Sequence, residues 1–167
     1  MIARPGHHLA ELNVGRLLAP TDDPRVADFM AALDKVNGLG KRMPGFVWMM
    51  EGSGEPGTGN TEAKIGGDAQ FVSNLTVWTD VQSLEHFVWN TVHRAFYERR
   101  AEWFQVLGKM HFVMWWVPER HRPTLDEALE RLADLQANGD SDRAFGWSYL
   151  KEARLWKDHG CTQVAAE

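Results

Sequence analysis

Two short stretches constrain this chain more than any others: Phe46 to Glu51, FVWMME, and His111 to Val117, HFVMWWV. Both read as strands, being short, rich in aromatic and β-branched residues, and bounded by Pro44-Gly45 and Pro118. Successive side chains of a strand point to opposite faces, so a strand that is apolar throughout must be covered on both. Phe71 to Trp78, FVSNLTVW, is nearly as apolar, with Asn74 and Thr76 sharing a face with Val72 and Trp78. Residues 8 to 14 alternate instead, and His8, Ala10, Leu12 and Val14 make one cleanly apolar face. Any fold for this chain needs a sheet with a layer on each side.

Helices fall between the strands. Asp23 is an N-cap with Pro24 at the first helical position, followed by a stripe of Val26, Phe29, Met30, Leu33, Val36 and Asn37 that Gly38, Gly40 and Pro44-Gly45 bring to an end. Thr79 with Gln82 forms a capping box for a long central helix, Thr79 to Phe104, closed by Gly108. This helix has two apolar stripes, one of Leu84, Phe87, Val88, Thr91 and Ala95, the other of Trp89, His93, Phe96, Tyr97, Arg100 and Phe104. Such a helix is buried on both sides or kinked between them. Thr124 with Glu127 caps a further helix with Leu125, Ala128, Leu129, Leu132 and Leu135 on one face and Asn138-Gly139 at its end. Phe145, Trp147 and Tyr149 then alternate, as in a short strand or a surface arm.

The order β-α-β-β-α-β predicts an α+β, ferredoxin-like fold: a four-stranded antiparallel sheet with two crossover helices on one face, plus an extra C-terminal helix and arm. We divide the chain into a domain over residues 1–140 and a C-terminal extension over 141–167. The second sheet face is too apolar for water, and the chain has no evident spare layer apart from the arm. A second copy of the sheet, stacked at about 10 Å, is therefore expected to form a homodimer.

Composition narrows the partners. Eight Trp and eight Phe against two Tyr suggest a wide core, a ligand pocket or an interface. A net charge of −5 with no long basic run argues against nucleic-acid binding. No apolar run approaches the ~20 residues that span a bilayer. The single Cys161 and an N-terminus without a signal-like core predict a cytoplasmic protein. The Gly-rich stretch 52–68 reads as a hairpin insertion or a lid, and lacks the Gly-Lys-Ser/Thr of a phosphate loop.

The segments HLAELNV, PTDDPRVADFMAALDKVN, PGFVW, NLTVW, HR..Y.RR.EWF and FVMWWVP, spread over about residues 7 to 140, resemble the domain-of-unknown-function 3291 family of the dimeric α+β barrel superfamily. That superfamily also holds antibiotic-biosynthesis monooxygenases, haem-degrading enzymes, chlorite dismutases and aldoxime dehydratases. The resemblance implies a dimer with a pocket between helices and sheet in each subunit. Carried onto this chain, it implies catalytic roles for His93, Tyr97 and Asn74, with Asn13, Trp48, Trp78, Trp89, Phe96, Arg100 and His111 binding substrate.

His93 is the sharpest candidate, since an imidazole serves as acid or base near neutral pH. It competes with a plain reading as a hydrogen-bonded core histidine. Trp89, Trp103, Trp115 and Trp116 are first read as core or interface, and the Arg94 and Arg100 ion pairs as solvated. The leading expectation is an enzyme of the antibiotic-biosynthesis-monooxygenase type acting on a small apolar or aromatic compound, with an isomerase or cyclase using the same parts. Haem enters only as the alternative cofactor, with His93 as its axial ligand and Arg94, Arg99 or Arg100 pairing with propionates. A dimer that binds a ligand without turnover is the third reading.

Overall fold

A computed structural model describes residues 3–52, 65, 67–109, 111–151, 153 and 155. The elements run β1 (His7–Arg16), α1 (Ala27–Gly40), β2 (Phe46–Met49), β3 (Phe71–Trp78), α2 (Val81–Asn90), α3 (Val92–Glu98), β4 (Phe112–Pro118) and α4 (Leu125–Asn138). The strands are antiparallel in the order β2-β3-β1-β4, which is the expected ferredoxin-like arrangement. Residues 53–64 and 66 of the Gly-rich stretch, on which the hairpin or lid reading falls, lie outside the described residues.

Register sorts the strand residues into two faces. Leu12 lies opposite Leu75 and Val113, and Ala10 opposite Val77 and Trp115. Onto this face α4 lays Ala128, Leu132 and Leu135, all buried. Fully burying a Leu is worth ~1.5–3 kcal/mol against leaving it exposed, so this stripe holds α4 down. The Thr124 cap forms as expected, with Glu127 N–H donating to Thr124 Oγ1 at 3.2 Å, and Gly139 ends the helix at φ 75°. The expectation that only a second copy could cover this face is thereby corrected: α4 supplies the layer.

The opposite face carries α1, α2 and α3. Leu9, Trp78 and Met114 pack there against Val81, Leu84 and Phe87 of α2. The 141–153 segment joins the same body. Phe145 N–H donates to Met114 O at 2.9 Å and Met114 N–H to Phe145 O at 2.7 Å, so the segment adds one bridge to the outer edge of β4. Ala144 turns into the α4-side core, while Phe145, Trp147, Leu150 and Ala153 turn into the other.

Three local readings differ from the sequence expectation. The cap of α2 is Asp80, whose Oδ1 accepts from Ser83 N–H at 2.8 Å, while Thr79 donates its hydroxyl to Asp80. A carboxylate one residue on outcompetes the hydroxyl for the free amides. The central helix stops at Asn90, restarts as α3, and ends in a 3-10 turn over Arg100–Glu102, short of Gly108. In β2 the register shifts between Phe46 and Trp48, so Phe46 faces Trp78 but Trp48 faces Val77, on the α4 side. Among the described residues no helix is long and apolar enough to cross a membrane.

Candidate functional site

The break in the helix makes the site. Thr91 has extended backbone, φ −124° and ψ −174°, between α2 and α3. Its hydroxyl donates to Phe87 O at 2.6 Å and accepts from His93 N–H at 3.2 Å. One side chain thus closes α2 and opens α3, the competition with main-chain bonding that makes Thr a poor mid-helix residue. Leu84, Phe87, Val88 and Trp89 fall on α2, and His93, Ala95, Phe96 and Tyr97 on α3. Phe87 and Leu84 stay against the sheet, while α3 swings His93, Phe96 and Tyr97 over a gap.

That gap is a cavity of about 270 Å³ between the sheet and α1–α3. Aromatic side chains wall it. At one end Phe104 lies directly on Gly15, where an added Cβ would come within 2.6 Å of its ring, and meets Phe29 edge-on with centroids 4.9 Å apart. At the other, Trp89 meets Tyr97 edge-on at 5.1 Å, and Trp147 stacks on Phe112 at 5.5 Å. Arg100 folds back over the Tyr97 ring, 4.3 Å from its centroid, and donates to Tyr97 O at 3.0 Å.

Sheet residues give the cavity a polar floor. Asn13 and Asn74 are partners in register, as are Glu11 and Thr76, and all four line the cavity. Glu11 is 3% exposed. It accepts from Asn13 Nδ2 at 2.9 Å and from Thr76 Oγ1 at 2.8 Å, and Trp78 Nε1 donates to the same Thr76 hydroxyl at 2.9 Å. Burial pushes the Glu11 carboxyl up to about 7, against the two hydrogen bonds, which pull it down. Sequence reading passed over Glu11. Its one visible signal was a carboxylate on the same strand face as Asn13, opposite the clean apolar face of β1.

Of the expected site residues, Asn13, Asn74, Trp89, His93, Phe96, Tyr97, Arg100 and His111 all reach the cavity wall. Trp48 and Trp78 do not. The bulge in β2 turns Trp48 to the α4 side, and Trp78 is wholly buried under Phe87, stacked at 5.3 Å. His93 lines the wall, but its chemistry differs from the expectation. Burial drives its imidazole down to about 4, partly offset by a hydrogen bond to the Val88 carbonyl. Its Nδ1 is closed off from the cavity and has no hydrogen-bond partner. His111 is likewise shifted down, by burial first and by the Arg100 charge.

The haem arrangement fits poorly. His93 Nδ1 is closed off and offers no lone pair to an iron atom. Arg94 is tied to Glu98 at 2.8 Å, and Arg99 to Glu102 at 2.8 Å. Among the described residues no group of three or more His, Cys, Asp and Glu is placed to hold a metal ion.

Comparison with curated proteins finds no match. Among solved structures the chain is similar to SnoaB, a cofactor-independent oxygenase from Streptomyces nogalater, at 14% identity and a TM-score of 0.39, over 72% of this chain and 98% of that one. The family described as Domain of unknown function (DUF3291) matches residues 8–161. With nearly its whole length matched, the chain belongs to that family.

Proposed function

We propose that this protein binds a small, largely apolar aromatic molecule in the cavity and acts on it as an enzyme by proton transfer. One observation carries the reading: an aromatic-walled cavity of about 270 Å³ has its polar groups gathered on the floor and at one rim. Sites for small organic ligands have this build, with apolar walls for affinity and a few polar groups for orientation. A phenol-like ligand would lay its rings between α3 and the floor and set its hydroxyl against Asn13 and Asn74. Removing that proton is the common first step of both expected chemistries. An anion so formed reacts with oxygen in an antibiotic-monooxygenase-type reaction, or rearranges in an isomerase or cyclase. The amide donors and Arg100 would stabilise it.

The sequence expectation gave the acid or base role to His93 on the helix side, but burial lowers its imidazole to about 4, which makes it a weak base near neutral pH. A homodimer remains part of the proposal, supported by the partly exposed Val47, Trp48, Leu125 and Leu129 on the α4 side. Light scattering that gives 19.0 kDa at micromolar concentration would remove it. The function is tested by a panel of one- to three-ring phenols, read by thermal shift and by an oxygen electrode. Binding lost in Asn74→Leu, with oxygen uptake or product formation in the wild type, is the expected result. Phenols that bind neither protein would sink the proposal.

A further inference from the structure

The floor of the cavity holds a carboxyl group that neither packing nor an ion pair explains. Glu11 is buried on the central strand, and buried acids are ordinarily paired with a cation. The charged and titratable groups facing the cavity are His93 and Tyr97 from α3, Arg100 from the turn after it, and His111 ahead of β4. Among the described residues, the lining side chains of α1, α2 and β3 bring none. None of these groups sets the ionisation of Glu11, which follows from burial, Thr76 and Asn13 alone. An ionised carboxylate has about four acceptor positions. Two are filled, by the Asn13 amide and the Thr76 hydroxyl, and these fix the carboxylate in place. Trp78, through Thr76, fixes the fixer.

We propose that Glu11 is the catalytic base of this cavity, taking the proton from a phenolic or enolic hydroxyl bound against Asn13 and Asn74. The proposal rests on the aromatic-ligand reading above. The O–H bond of the ligand breaks, its electron pair stays on oxygen, and the proton forms a new O–H bond on Glu11. Nothing is oxidised or reduced in this step. Asn13 and Asn74, register partners beside Glu11 on the cavity floor, border the place where the oxygen gains charge. A carboxyl with its ionisation near 7 suits the task, because a base works best when its pKa lies near the working pH. His93, with its Nδ1 closed off, is then a wall residue that shapes the cavity.

The test uses 4-nitrophenol, which ionises near neutral pH and turns yellow when it does. Its affinity is measured from about pH 5 to about pH 9, a range that brackets the Glu11 carboxyl. In the wild type, affinity should peak near neutral pH, where ligand and Glu11 hold one proton between them. It should fall by about tenfold toward either end, as both become protonated or both become charged. Glu11→Gln should abolish the peak, and His93→Gln should keep it. Asn13→Ala removes a bond that holds the carboxyl down, so it should move the peak to higher pH, and it decides the matter even where Glu11→Gln fails to fold. A peak that survives in Glu11→Gln, or stays in place in Asn13→Ala, overturns the proposal while leaving the cavity a binding site. No binding by the wild type at any pH removes the aromatic-ligand reading and this proposal with it.

Discussion

The two faces of the sheet use alternate residues of the same strands and end in opposite conditions. On the α4 side Ala10, Leu12, Leu75, Val77, Val113 and Trp115 meet an unbroken helix of 14 residues and are sealed. On the other side Glu11, Asn13, Asn74 and Thr76 meet a helix that breaks at Thr91, and a cavity is left. A continuous amphipathic helix delivers one apolar stripe and closes a face. Two short helices interrupted at Thr91 leave a cavity between themselves and the sheet. Stability should therefore reside mainly on one face and ligand recognition on the other.

The sharpest way to break this contrast is Trp115→Ala. Trp115 is 1% exposed and donates Nε1–H to Glu127 at 3.1 Å. Its truncation should cost about 3–5 kcal/mol in urea unfolding, while leaving ligand affinity of the folded fraction unchanged. Lost affinity with intact stability would invert the assignment of roles.

The second test uses pH. Glu11 ionises at 4.5 in the unfolded chain and at about 7 in the fold, so it removes stability as pH rises from 4.5 to 7, the folded state keeping the proton longer. His93 ionises at 6.5 unfolded and about 4 folded, so it adds stability as pH rises from 4 to 6.5. In the wild type these slopes oppose each other. Glu11→Gln should unmask a rise between 4 and 6.5, and His93→Gln a fall between 4.5 and 7. Each slope is at most about 1.4 kcal/mol per pH unit. Urea midpoints at several pH values read both, and parallel curves for all three proteins would refute the two buried groups.

Smaller effects sharpen the picture. Thr91→Ala removes the hydroxyl that closes α2 and opens α3, at a cost of about 1 kcal/mol, and should weaken 4-nitrophenol binding as α3 loses its position. Arg94→Ala breaks an exposed pair with Glu98 on the outer side of α3. It should cost no more than ~0.5 kcal/mol and leave binding alone.

Much of the sealed face was legible in the sequence, because period-two and period-3.6 patterns survive when nothing interrupts them. The face of His8, Ala10, Leu12 and Val14 and the capped stripe of α4 are both where their spacing puts them. The cavity face was legible in its parts and not in its assembly. Trp48 was misplaced because one bulge changes the parity of every later side chain in a strand. Trp78 has the right parity but lies beneath Phe87, a depth that no one-dimensional pattern encodes. Glu11 was missed because a carboxylate facing the polar side of an alternating strand reads as solvated until a second layer is known to cover it. The break at Thr91 was foreshadowed by two opposed stripes, though its position was not, since a β-branched residue is tolerated in many intact helices.

The bridge between Met114 and Phe145 has a further consequence. It occupies both main-chain groups of Met114, so the outer margin of β4 is blocked at that point by the protein's own downstream segment. Among the described residues the short β2 is the remaining margin. Two such sheets pairing through β2 would meet edge to edge across a twofold axis, a union that leaves no free β2 margin from which to grow. Clipping the chain ahead of Ser141 should bare the Met114 main-chain groups and raise aggregation over that of the full chain, as read by light scattering.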